Sequence, residues 1–395
     1  MDRVRWYHKG LGVASAVAAI SVIMSSTWSL SQPNQQPLKV GLLIQLSGAA
    51  GVYGLPSQQA AELAVSEVNK GGVLGRTLNL VIADDATDVK TAGEQARKLV
   101  NRDHVDVLIS TESSAAREAV IPVAKRGNTL MIYTPLYEGG ACEQNLFDLG
   151  EVPQQQVAPV IPYMQAQYHG NTWYIVGDDY NWPRALGKVT RAIVTAASGT
   201  IAGEDYVPLG TSDFGTILDK IRAADATFVL MTLVGSDAIA FVKQLHDFGL
   251  GEKVKVLSLA LLDNTLPALK GDTSNTFAAF GYFSTLDTPA NTTFVQALQA
   301  KFGTSAPQQT TLSEGDYNAI HLWAQAVRQA GTTDTAGVVK AMGGQTFNGP
   351  RGTLTVSGAT HHVAQHMYLG AATPDATYRI LHDFGLIQPG SQCSF

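Results

Sequence analysis

Residues 38–46 read LKVGLLIQL, a near-continuous apolar run of the kind that forms a strand buried on both faces of its sheet. The segment that follows ends in a glycine pair at residues 71–72, and it places four apolar residues at helical spacing: Ala61, Ala64, Val65 and Val68. A buried strand followed by an amphipathic helix begins a βαβ unit. This stretch therefore predicts a parallel sheet with helices packed on its faces.

The alternation of strand and helix continues along the chain with one interruption. We expect further strands at residues 78–83, 105–110, 129–133, 172–176, 203–207, 227–233, 254–258 and 276–282. We expect the helices between them at residues 89–101, 114–125, 159–168, 183–197, 214–224 and 237–248. A polar, glycine-rich segment at residues 134–156 breaks the rhythm, so two parallel-sheet lobes are the simplest account.

The C-terminal part is less regular. Residues 284–291 resemble a second crossing between lobes, and helices are expected at 293–302, 313–330 and 335–342, then strands at 349–355 and 363–370. Three helices with no strand between them cannot form a third α/β lobe, so we expect them to complete the first. The predicted fold class is α/β, two doubly wound parallel-sheet lobes joined by several crossings, with lobe 1 at 38–152 plus 284–345 and lobe 2 at 153–283 plus 346–395.

The N-terminus has a different composition from the rest. Arg3, Arg5 and Lys9 precede an uncharged stretch at residues 10–24, and small residues follow up to Ser31. A basic segment, a short apolar segment and small residues at the cut describe a secretory signal peptide, here residues 1–31 with cleavage near Ser31. The alternative is an uncleaved anchor helix, for which the apolar stretch is short. We therefore expect an exported protein.

Composition excludes several classes of protein. At 395 residues the chain exceeds the ~250–300 residues that one core usually serves. Its 33 acidic and 27 basic residues give a net charge of −6, which argues against a nucleic-acid partner. The two cysteines, Cys142 and Cys393, are too few for a four-thiolate zinc site. Whether these two thiols pair in an oxidising compartment or stay free is left open by their spacing.

Candidate binding residues follow the predicted strands. Ligands of open parallel sheets bind beyond the carboxyl ends of strands, where helix N-termini present free N–H groups. Glu112 and Ser114 come after the strand at 105–110, and Gly235 comes after the strand at 227–233. Ser114 is a candidate ligand contact or an ordinary N-cap, and Gly235 a backbone contact or plain loop. The glycine-rich loop at 46–54 lacks the dinucleotide and phosphate-loop spacings.

Eight segments, in matching order, resemble type I periplasmic solute-binding proteins, most closely the branch of urea-binding and short-chain amide-binding proteins. They are GGVLG (71–75), REAVIPV (117–123), YTPLYEG (133–139), VPQQQVAP (152–159), GDDYNWPR (177–184), YVPLGTSDF (206–214), STLDTPAN (284–291) and GQTFNGPRGTLTV (344–356). The resemblance covers residues 38 to about 390. It implies a monomeric receptor that closes around a small solute and presents it to the membrane subunits of an ABC importer, without a cofactor.

The resemblance also implies a set of contacts. In lobe 1 they are Ser114 and residues of the Tyr-Pro segment, Tyr133, Pro135 and Tyr137; in lobe 2 they are the aromatic residues Tyr180 and Trp182. The implied solute is urea or a short-chain amide. Glu112 departs from the pattern, because a carboxylate replaces an aromatic residue there.

Glu112 leaves alternatives open. Facing the cleft, it could accept N–H bonds from an amidine, guanidinium or amino-acid ammonium group. Otherwise it faces solvent or pairs with Arg117. A signalling sensor is the alternative to a transport receptor, although such a sensor in the cytoplasm should lack the apolar stretch at 10–24. An acyl-transfer enzyme is disfavoured, since no G-x-S-x-G elbow occurs, and the His361, His362 and His366 group is expected to be a packing or surface feature rather than a metal site.

Overall fold

The computed structural model describes residues 4–10, 36–393 and 395. Residues 4–10 have no regular secondary structure, and the rest of the predicted signal peptide lies outside the described residues. Residues from Gln36 onward form one compact unit, to which everything below refers. Within the described part of the chain, no helix has the length and apolar character that a membrane span requires.

The first sheet has five parallel strands in the order β2-β1-β3-β4-β5. Its strands are β1 (Leu38–Ile44), β2 (Leu78–Asp84), β3 (Val107–Thr111), β4 (Leu130–Tyr133) and β5 (Leu146–Asp148). The helices between them are α1 (Gly54–Asn69), α2 (Val89–Arg97) and α3 (Ser114–Arg126). All seven residues of β1 except Lys39 are buried, as its apolar sequence predicts for a strand covered on both faces.

The second sheet begins with five parallel strands in the order β10-β9-β8-β6-β7. They are β6 (Thr172–Asp178), β7 (Thr200–Val207), β8 (Phe228–Thr232), β9 (Lys255–Ser258) and β10 (Thr276–Phe280). The helices of this part are α4 (Pro153–Gln156), α5 (Val160–Tyr168), α6 (Asn181–Ala196), α7 (Gly215–Ala223) and α8 (Gly235–Asp247).

The C-terminal region supplies helices beside the first sheet and antiparallel strands to the second. The helices α9 (Pro289–Phe302) and α10 (Thr311–Ala330) contact α1, and α11 (Thr335–Met342) contacts α10. The strands are β11 (Thr346–Gly349), β12 (Gly352–Val356), β13 (Val363–Ala372) and β14 (Tyr378–Ile387). Strand β13 joins β10, and both β12 and β14 pair with β13. The predicted α/β fold with parallel sheets is confirmed.

Three local predictions need correction. The predicted strand at 349–355 is wrong at its start, because Pro350 and Arg351 form the turn of the β11–β12 hairpin. The segment 134–156 is less irregular than expected, since it contains β5 and α4. Strand β14 is absent from the prediction.

A buried charge cluster ties together the chain segments that run between the sheets. The Glu151 carboxylate accepts hydrogen bonds from the Gly281 N–H (2.7 Å) and the Thr311 hydroxyl (2.5 Å). Arg351 binds the Glu314 carboxylate at 2.5 Å and lies 3.9 Å from that of Glu151. The three charged side chains are at most 1% exposed. One guanidinium thus holds the hairpin turn, α10 and the segment after β5 in register.

Cys142 and Cys393 form a disulfide. Cys142 lies in the loop between β4 and β5, whereas Cys393 follows β14, the last strand of the second sheet. The C-terminal segment is also held by the Phe395 ring, which stacks on His361 with centroids 4.2 Å apart. Of the two alternatives that the sequence leaves open for the cysteines, the structure has the paired one.

Candidate functional site

A cavity lies where the carboxyl ends of the two sets of parallel strands meet. Its walls are Gln45, Ala50, Tyr53, Thr87, Thr111, Glu112, Ser113, Ser114, Tyr133, Pro135, Leu136, Tyr180, Trp182, Leu209, Val234, Ala260, Leu262 and Leu312. The space open to the centre of a water-sized sphere is about 50 Å³, and one water needs roughly 10–15 Å³ on that measure. The cavity therefore suits a solute of a few heavy atoms.

Glu112 is the only acidic or basic side chain among the described residues that line this cavity. It follows β3 and is 2% exposed. One carboxylate oxygen, Oε2, accepts a hydrogen bond from the Ser110 hydroxyl at 2.5 Å, whereas Oε1 has no partner within the described part of the chain. Burial raises the pKa of this carboxyl to about 8. Glu112 thus brings a buried carboxyl group with one unpartnered oxygen to the lining of the cavity.

The Arg117 guanidinium binds other carboxylates than that of Glu112. It contacts the Glu138 carboxylate at 2.7 Å and that of Glu118 at 2.8 Å. It also lies over the rings of Tyr133 and Tyr137, 5.0 and 4.8 Å from their centroids. The alternatives in which Glu112 pairs with Arg117 or turns to solvent are therefore wrong.

Helix α3 places two serines at the cavity. The Ser113 hydroxyl caps the helix by accepting from the Ala116 N–H at 3.2 Å. Ser114 is the first helical residue, and its hydroxyl donates to the Glu138 carboxylate at 2.6 Å. The N-cap is thus Ser113 rather than Ser114. The backbone at Ser114 remains at a helix N-terminus, which suits a carbonyl oxygen of a solute.

Aromatic rings from both sheets close the cavity. Tyr133 ends β4, and its hydroxyl donates to the Glu112 carbonyl oxygen at 2.8 Å. On the opposite side Tyr180 precedes α6 and Trp182 lies in its first turn, with ring centroids 6.2 Å apart. The Trp182 indole N–H has no acceptor among residues that the structure describes. Two buried polar atoms of the lining residues thus lack a partner among the described residues, Oε1 of Glu112 and the indole nitrogen of Trp182.

Six of the eight predicted contact residues line the cavity: Glu112, Ser114, Tyr133, Pro135, Tyr180 and Trp182. The structure does not bring Tyr137 and Gly235 to it. The Tyr137 hydroxyl contacts the His362 ring, behind Tyr133. The Gly235 N–H donates to the Tyr53 hydroxyl at 2.6 Å, so this N–H already has an acceptor.

Sequence reasoning missed Tyr53 and the apolar lining. Tyr53 belongs to the glycine-rich loop at 46–54, whose position after the first strand was the available signal. The apolar wall residues Leu136, Leu209, Leu262 and Leu312 come from four separate loops or helix starts, and nothing in their local sequence distinguishes them. Of the three histidines considered, His361 stacks between Phe147 and Phe395, and His366 contacts Asp383 at 3.3 Å.

Comparison with known proteins agrees with this fold. A family model described as periplasmic binding protein matches residues 37–377. The chain belongs to the periplasmic binding protein family. This periplasmic binding protein is 25% identical over 345 residues to Leu/Ile/Val-binding protein homolog 3 of Brucella melitensis, which covers 85% of this chain and 92% of that protein. It is 23% identical over 342 residues to the leucine-, isoleucine-, valine-, threonine- and alanine-binding protein of Pseudomonas aeruginosa, with 85% and 89% covered.

Solved structures share the fold of this periplasmic binding protein. The solute-binding protein of an ABC transporter from R. palustris, in complex with 4-hydroxybenzoate, has a TM-score of 0.82 at 20% identity and covers 90% of this chain and 99% of that one. The branched-chain amino acid transporter substrate-binding protein of Streptococcus pneumoniae, in complex with isoleucine, has a TM-score of 0.78 at 19% identity, with 89% and 99% covered.

These matches confirm the coarser part of the sequence-based interpretation. As a member of the periplasmic binding protein family the protein is a solute-binding receptor, and its named relatives are receptors rather than enzymes. Family membership implies a periplasmic location.

Proposed function

We propose that this receptor captures a small solute rich in N–H groups, urea or a short-chain amide, and delivers it to an ABC importer. The observation that carries the proposal is Glu112, which lines a small cavity and has one oxygen, Oε1, without a partner among the described residues. An amide presents N–H groups to an acceptor and a carbonyl to a donor, and a carboxyl whose pKa is raised to about 8 has both functions at neutral pH. The Trp182 indole N–H and the start of α3 are donors of that kind.

The shape and charge of the cavity support a small planar solute. Aromatic rings of Tyr133, Tyr180 and Trp182 can cover the faces of a planar group. The absence of a basic side chain among the described lining residues disfavours an aromatic carboxylate such as the one bound by the R. palustris protein.

We further propose that capture works by closure of two lobes, residues 38–152 plus 284–345 and residues 153–283 plus 346–395. A ligand favours the closed state only through contacts that the open state lacks. Ser114 and Glu112 on one side, with Tyr180 and Trp182 on the other, are suited to such a two-sided contact.

A cationic amidine or guanidinium solute is the second candidate, and Glu112 is the observation that favours it. An ionised carboxylate pairs with such a cation through charge-assisted hydrogen bonds. Because the Glu112 pKa is raised to about 8, binding of a cation at pH 7 should displace a proton from this carboxyl. An α-amino acid, the class of ligand in the names of the relatives, is a further candidate that the screen below includes.

A thermal-shift screen of the exported protein tests the proposal. Urea and acetamide at millimolar concentration are expected to raise the melting temperature, since a ligand of the folded form alone stabilises it. Guanidinium, leucine and 4-hydroxybenzoate are the comparison solutes. Stabilisation by leucine or 4-hydroxybenzoate with none by the amides would contradict it.

The variant Glu112→Gln separates a neutral solute from a cationic one. Glutamine keeps an acceptor oxygen but has no charge, so guanidinium binding should weaken by more than about tenfold and urea binding by only a few-fold. Isothermal calorimetry measures both. The matched control is Glu94→Gln, which alters an exposed carboxylate on α2 and should leave both affinities unchanged. Equal losses for the two solutes would remove Glu112 from the site.

A further inference from the structure

The loop that leads into α1 reaches across to the second sheet. Tyr53 immediately precedes α1, yet its hydroxyl donates to the Ala260 carbonyl at 2.7 Å and accepts from the Gly235 N–H at 2.6 Å. Ala260 follows β9 and Gly235 begins α8, so both lie beside the second sheet. The hydroxyl of one side chain beside the first sheet thus makes two hydrogen bonds to backbone groups beside the second sheet, one as donor and one as acceptor.

Backbone groups of the same loop make further contacts of this kind. The Ala49 carbonyl accepts from the Ser236 N–H at 3.2 Å. The Val52 carbonyl accepts from the Asn264 side-chain amide at 2.7 Å. These bonds run directly between residues on the two sides of the cavity.

Gly235 is fitted to this contact by its lack of a side chain. Its φ is +54°, in the region that favours glycine. A Cβ at this position would overlap the Ala49 carbonyl oxygen and lie 3.0 Å from the Ala50 Cα. The backbone at the start of α8 therefore lies so close to the backbone at residues 49–50 that only glycine fits at this position of α8.

We propose that Tyr53, Gly235 and Ala260 form a closure latch, which holds the two lobes together before a solute binds. The proposal rests on the lobe closure proposed above, but not on the identity of the solute. Hydrogen bonds that form only in the closed state shift the equilibrium toward it whatever the cavity contains. Tyr53 is therefore a positioning residue that sets the affinity for every solute in the same proportion, whereas Glu112 discriminates between solutes.

The test measures closure in the ligand-free protein. Nitroxides on Lys90→Cys and Lys188→Cys report the separation of α2 and α6, which carry these exposed lysines on opposite sides. The native cysteines are paired and do not compete for the label. Pulsed electron paramagnetic resonance should show a closed population in the wild-type sequence. Tyr53→Phe keeps the ring but removes the hydroxyl, and should lower the closed-to-open ratio about fivefold.

The matched control is Tyr174→Phe, which removes a tyrosine hydroxyl bonded to Asp205 within the second sheet and should leave the distances unchanged. Gly235→Ala should open the lobes further, because its methyl group obstructs closure. If Gly235→Ala does not fold, the distances in Tyr53→Phe still test the proposal. A ligand-free wild-type protein with only the long distance, or equal distributions for wild type and Tyr53→Phe, overturns the proposal. Failure of the amide screen alone leaves these distances unaffected and counts against the proposed solute only.

Discussion

At the residue scale, Glu112 shows what the local sequence can predict about a candidate contact and what it cannot. Its place after a buried strand marks it as a candidate contact, and the structure does place its carboxylate on the cavity wall. The partners of that carboxylate depend on residues distant in sequence. Arg117, five positions away, is held by Glu138 in the loop after β4, and this leaves one Glu112 oxygen free.

The raised pKa of Glu112 predicts a pH-dependent stability. In the folded protein this carboxyl keeps its proton up to about pH 8, whereas in the unfolded chain it loses it near pH 4.5. The native state therefore binds one more proton between these values, and stability falls as pH rises through that window, by about 1.4 kcal/mol per pH unit. Glu112→Gln does not titrate, so its stability relative to wild type should rise from pH 5 to 8 and then level off.

Thermal unfolding of both proteins from pH 5 to 9, without solute, measures this difference. Asp316, another buried acid, whose pKa is raised to about 7, does not interact with Glu112 and contributes equally in both proteins. A difference that stays constant across the range would mean that Glu112 is ionised in the folded state at all these pH values.

At the element scale, the apolar patterning predicted the long strands and helices because each of them buries a continuous face. Strand β5 and helix α4, with 3 and 4 residues, are too short for any periodicity to show. In strand β14 buried and exposed residues do not alternate regularly, and most of its residues are half-exposed. Its strand conformation therefore depends on pairing with β13 more than on its own sequence. Ser114 was found from its helix start, but its neighbour Ser113 is the cap.

The buried ion pair at the β11–β12 turn predicts that one substitution there will strongly lower the stability of the protein. Arg351→Met leaves Glu314 buried without its cation and should destabilise the protein by about 3–5 kcal/mol. Arg379→Met, at an exposed position on β14, should change stability by less than about 0.5 kcal/mol. Thermal unfolding measures both. Adding Glu314→Gln to Arg351→Met should recover part of the loss, and a double variant worse than the single one would contradict the assigned pairing.

At the scale of the whole molecule, two sheets of different size share a cavity between their strand ends, and the sequence predicted this arrangement from the order of its segments. It could not determine which loops touch across the gap. The contact of Tyr53 with Gly235 joins residues 182 positions apart, and no local pattern encodes such a pair.

The disulfide also constrains the molecule as a whole, because it joins two cysteines 251 positions apart in sequence. Replacing both cysteines, Cys142→Ala with Cys393→Ala, should lower the free energy of unfolding by about 5 kcal/mol, because the unfolded chain is no longer constrained. Thermal unfolding with and without dithiothreitol checks the cause. Reductant should destabilise the wild-type protein and leave the double variant unchanged; a variant as stable as the oxidised protein would rule out this role.

The same bond has a consequence for proteolysis. An exposed loop such as residues 303–305, between α9 and α10, lies inside the covalent ring that runs from Cys142 to Cys393. A protease that cuts there produces two fragments that remain one molecule. They should migrate as a single band on a denaturing gel and separate only when the sample is reduced.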